Sequence, residues 1–77
     1  MTLQQAQLIA DLTQDLAPLV RDIEASPATT QHHYGRYGAV ISQFAKGNRS
    51  AAQVIALALM KAGGNKRGVV NGLALFI

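Results

Sequence analysis

The chain has 77 residues, 49% of them hydrophobic and 14% charged, and carries a net charge of +3. A single domain over residues 1–77 is the expectation at this length, burying only about 60% of the unfolded chain's surface, so an efficient core or a partner subunit is needed. The absence of cysteine excludes disulfides, thiolate zinc sites and cysteine nucleophiles, and a reducing cytoplasm is the expected location.

The opening residues Thr2-Leu3-Gln4-Gln5 lack the basic start and apolar run of a secretory signal. They form a capping-box pattern instead, in which the Thr2 hydroxyl and the Gln5 amide satisfy orphan backbone donors, so a helix begins here. At 100° per residue, Leu8, Ile9, Leu12, Leu16, Leu19, Val20 and Ile23 share a sector of about 120°, with Asp11, Asp15 and Asp22 opposite. The pattern predicts one amphipathic helix of about 23 residues, bent at Pro18 because proline deletes the bond to the carbonyl of Gln14. Two shorter helices are the alternative.

Ser26-Pro27-Ala28-Thr29-Thr30 reads as a break, with Thr29 or Thr30 capping a second helix that runs to Lys46 and stops at Gly47. Tyr34, Tyr37, Val40, Ile41, Phe44 and Ala45 share one face of it with His33, while His32, Arg36 and Gln43 form a polar strip. Gly35 and Gly38 cost this helix about 1 kcal/mol each relative to alanine, which predicts close backbone contact as compensation.

Ser50-Ala51-Ala52-Gln53 is a second capping-box pattern, starting a helix that continues to Ala62 and is apolar almost all round. It is expected to be the central helix. Gly63-Gly64 ends it, and Asn65 caps a fourth helix to Phe76 with Val69, Val70, Leu73, Phe76 and Ile77 inward. The longest uninterrupted apolar run, Val54 to Met60, is far below the roughly 18 residues of a membrane span. The fold class is all-α: a compact domain of one long bent helix and three shorter ones, whose last pair has a helix-turn-helix-like outline.

Charge is segregated along this framework. The only acids are Asp11, Asp15, Asp22 and Glu24, whereas six of the seven bases lie between Arg36 and Arg67, so the later part of the chain offers a cationic surface to a partner. Gly63, Gly64, Asn65, Lys66 and Arg67 are expected to place backbone N–H groups, the positive end of a helix dipole and two cations at one point, as an anion site. The stretch lacks the spacing of a phosphate-binding nucleotide loop.

In the helix-turn-helix outline, Asn65, Lys66, Arg67 and Asn71 occupy the exposed early turns of a recognition helix, and asparagine and arginine pair bidentately with adenine and guanine. Lys46, Arg49 and Lys61 are the expected phosphate contacts, with Arg36 in support. Gly64, Gly68 and Gly72 recur every fourth residue and form a smooth groove for another helix. His32 and His33 project about 100° apart, too divergent for one metal ion, and His33 reads as a satisfied core histidine.

No serine or threonine has a histidine and an acid arranged around it, so neither an enzyme nor a small-molecule substrate or cofactor is expected. The expected function is non-enzymatic: a small nucleic-acid-binding regulator and homo-oligomer. One alternative is a regulator or inhibitor of the kind mobile elements and phages encode, docking on an acidic protein surface. The other is structural assembly, with the acidic helix of one subunit meeting basic helices of the next.

Overall fold

The computed structural model describes residues 2–26 and 30–76, without the side chains of Thr30, Gln31, His32, Tyr34 and Phe76. Four helices form the all-α architecture: α1 Leu3–Ala25, α2 Thr30–Ala45, α3 Arg49–Lys61 and α4 Lys66–Phe76. The expectations for Pro27, Thr29, His32, Tyr34, Phe76 and Ile77 lie outside the described residues and side chains.

Thr2 caps α1 as its sequence pattern requires, with reciprocal bonds between Thr2 and Gln5 at 3.0 and 3.1 Å. The helix continues through Pro18 as one element rather than two. Both Pro18 and Gln14 are exposed, so water replaces the bond proline removes. Ile9, Leu16, Val20 and Ile23 are buried, but Leu8 and Leu19 stay 50% and 41% exposed, because the apolar sector of α1 is wider than the surface its neighbours cover.

The connection from α2 to α3 departs from the sequence reading in two places. Helix α2 ends at Ala45, not Lys46. Lys46 and Gly47 both adopt positive φ, 51° and 87°, and this left-handed pair reverses the chain. Asn48 then becomes the N-cap of α3, its Oδ1 accepting the Ala51 N–H at 3.0 Å. Ser50 lies inside the helix, since the turn leaves Asn48 extended two residues earlier and asparagine caps at least as well as serine.

Helix α3, expected to be central, packs against each of the others, but α2 also contacts all three and carries the most extensive packing, through α4. In α3, Ala52, Ile55, Ala56, Ala58 and Leu59 are buried. It ends in a Schellman motif: Gly64 N–H donates to Leu59 O at 2.9 Å and Gly63 N–H to Met60 O at 3.1 Å, with Gly63 at φ 106°, where a side chain would be strained.

Helix α4 packs chiefly on α2, and its glycine row is the reason. A Cβ on Gly68 would stand 3.3 Å from the Tyr37 ring, and one on Gly38 would stand 3.2 Å from Gly72 O. The groove predicted along Gly64, Gly68 and Gly72 is therefore filled from within by α2. Gly35, by contrast, has nothing within 4 Å of its Cβ position, so no close approach offsets its cost to α2.

Candidate nucleic-acid interface

Helix α4 divides into four rows four residues apart. Gly68 with Gly72 faces α2, and Val69 with Leu73 faces the core. Lys66, Val70 and Ala74 form one exposed row; Arg67, Asn71 and Leu75 form the next. Val70, expected inward, is 46% exposed, because the two glycines draw α2 onto their own side of the helix and rotate Val70 outward. The start of α4 is fixed by Asn65, whose Oδ1 accepts the Gly68 N–H at 3.0 Å.

The anion site anticipated at Gly64 and Asn65 already holds an anion. Glu24, in the last turn of α1, places its Oε2 3.1 Å from Asn65 N and accepts that N–H. The same oxygen accepts the Tyr37 hydroxyl. Tyr37 is fully buried, and its pKa is raised far above the usual tyrosine value, first by burial, then by the hydrogen bond to Glu24 and the charge of its carboxylate. It is a neutral donor at any ordinary pH. A negative charge is unfavourable at the C-terminal end of α1 but favourable at the N-terminal end of α4, so the second helix offsets the first.

His33 is buried beside this cluster, its Nδ1 3.9 Å from Glu24 Oε2. Its Nε2 has no hydrogen-bond partner among the described residues, so the expectation of a satisfied core histidine does not hold. Among the described residues no three histidine or acidic side chains gather as a metal site, and no helix is long and apolar enough to cross a membrane.

The candidate cations fall into three places. Lys61, Lys66 and Arg67 flank the α3–α4 connection, next to Asn65 and Asn71 and all exposed. Lys46 and Arg49 sit at the opposite end of α3, about 18 Å along its axis at 1.5 Å per residue. Arg36 is engaged elsewhere, its Nη2 2.9 Å from Asp22 Oδ2 in a solvent-exposed ion pair. No ion pair involves Lys61, Lys66 or Arg67 among the described residues.

Sequence reasoning missed Glu24. A signal was present: two residues beyond Asp22, it projects about 160° away from it, off the acidic face and toward the side of Val20.

No family model, curated protein or solved structure matches this chain.

Proposed function

We propose that this protein binds nucleic acid without catalysing a reaction, through the outer rows of α4 and the adjoining end of α3. The observation that carries the reading is the joint exposure of Lys66, Arg67 and Asn71 on neighbouring rows of one helix, while the Glu24 carboxylate is held by Asn65 N–H and Tyr37. The two cations are left to an outside anion.

Arg67 and Asn71 are four residues apart, so both side chains present planar hydrogen-bonding groups to one strip of a groove, arginine suiting guanine and asparagine adenine. Lys61 and Lys66 supply charge to flanking phosphates. The short connection at 62–65 between α3 and α4 supports the helix-turn-helix-like outline. Lys46 and Arg49 fall outside this footprint, and Arg36 is already paired. A regulator working in the cytoplasm as a homo-oligomer is the setting that fits.

A second reading, an acidic protein surface as partner, draws on Val70 and Leu75, 46% and 63% exposed beside the cations. Apolar side chains at that density suit a protein interface.

The test is fluorescence anisotropy of labelled duplex DNA and RNA at low salt and micromolar protein. Wild type is expected to raise it, and Lys66→Ala/Arg67→Ala to lose most of that rise with helicity intact. Unchanged anisotropy for both nucleic acids overturns the reading. A stoichiometric protein partner that survives nuclease treatment replaces it with the second.

A further inference from the structure

We infer that the open groove between α1 and α2 is a self-association surface, occupied by the same groove of a second copy of this chain about a two-fold axis. The inference does not depend on nucleic-acid binding.

Helices α1 and α2 both lie on α3 but scarcely touch each other. At one end the Arg36–Asp22 pair links them. Toward the other they part over a groove of about 340 Å³ lined by Leu8, Leu12, Phe44, Ala51, Val54 and Ile55 among others. Leu8 and Phe44 stand on opposite walls, 50% and 47% exposed. Two large apolar side chains bordering an apolar trough are costly to leave in water on so small a domain.

Charge identifies the occupant. On the α1 wall, Asp11 and Asp15 lie one row outward from Leu8 and Leu12, the side of α1 from which Asp22 reaches α2. On the other wall, Lys46 lies in the turn after Phe44 and Arg49 opens α3, before Ala51. All four are exposed, and none is in an ion pair among the described residues. One rim is acidic and the other basic, in equal number.

A two-fold axis along the groove turns each copy over sideways, setting the acidic rim of one against the basic rim of the other, twice. The apolar floors then meet between the two charged rims. A purely acidic or purely basic partner would be attracted by one rim and repelled by the other. Lys46 and Arg49 thereby serve the interface rather than phosphate.

The experiment is light scattering and sedimentation equilibrium on the whole chain across a wide concentration range. Wild type is expected to form a dimer, and Phe44→Asp to raise its dissociation constant at least about tenfold. Asp11→Lys/Asp15→Lys and Lys46→Glu/Arg49→Glu are each expected to be monomeric alone and to form a one-to-one dimer when mixed. That rescue requires both to be folded, so it separates a disrupted interface from a disrupted fold. A wild-type monomer at every concentration overturns the inference and leaves the groove to another occupant. A dimer indifferent to Phe44→Asp, or a mixture that stays monomeric, overturns it equally.

Discussion

Glu24 accepts the backbone N–H of Asn65, 41 residues further along the chain, at 3.1 Å. One carboxylate thus closes the last turn of α1 onto the first turn of α4, and Tyr37 of α2 donates to the same oxygen. The contact joins three helices through a charged, partly buried group whose removal leaves donors unpaired. Glu24→Gln, which keeps an acceptor but loses the charge, is expected to cost about 1 kcal/mol, and Glu24→Ala about 2 to 3. Urea unfolding measures both. Equal stability of all three proteins would show that the contact contributes nothing.

Two glycine substitutions should have opposite signs. A Cβ on Gly64 would lie 2.7 Å from the Leu59 carbonyl oxygen, backbone that cannot turn aside. Gly64→Ala is expected to destabilise by about 2 kcal/mol or more. Gly35 sits in α2 with open space around it, and Gly35→Ala is expected to stabilise by about 0.5 to 1 kcal/mol through helix propensity. Thermal melts of the two variants decide the matter by the direction in which the midpoint moves.

Lys46 holds a φ of 51°, a conformation that costs a side-chain-bearing residue about 1 kcal/mol. Lys46→Gly relieves it and is expected to gain a few tenths to about 1 kcal/mol in chemical denaturation. A loss of stability would mean that the lysine side chain contributes more than the strain.

Alkaline pH should weaken the fold through Tyr37. Its folded pKa lies above the ordinary 10.0 of a free tyrosine, so the folded state keeps a proton that the unfolded state releases. Stability from this group is complete below pH 10 and falls above it, by up to about 1.4 kcal/mol per pH unit. Urea midpoints at successive pH values above 10 trace the loss. Tyr37→Phe should flatten the slope while lowering stability at neutral pH.

Periodicity and capping chemistry made most of this architecture legible. The Thr2 and Gln5 pair, the Gly63-Gly64 stop and the Asn65 cap each follow from local backbone needs, and each is found where expected. The α2–α3 turn was not legible because a lysine at positive φ carries no sequence mark, and its presence moved the α3 cap from Ser50 to Asn48. Exposure of Leu8, Leu19 and Val70 depends on which neighbour covers which side of a helix, a tertiary property that a helical wheel does not contain. Glu24 was hidden for the same reason. Only the fold brings the end of α1 to the start of α4, and with it the charge that fills the anion site.

The most direct test of the proposed function is the salt dependence of duplex binding. For wild type, the logarithm of the binding constant should fall linearly with the logarithm of salt concentration. For Lys66→Ala/Arg67→Ala the slope should be shallower by about 0.9, the value expected when Lys66 no longer neutralises a phosphate. A slope unchanged by that double substitution, or no measurable binding at low salt, would contradict the assignment of α4 as the nucleic-acid interface.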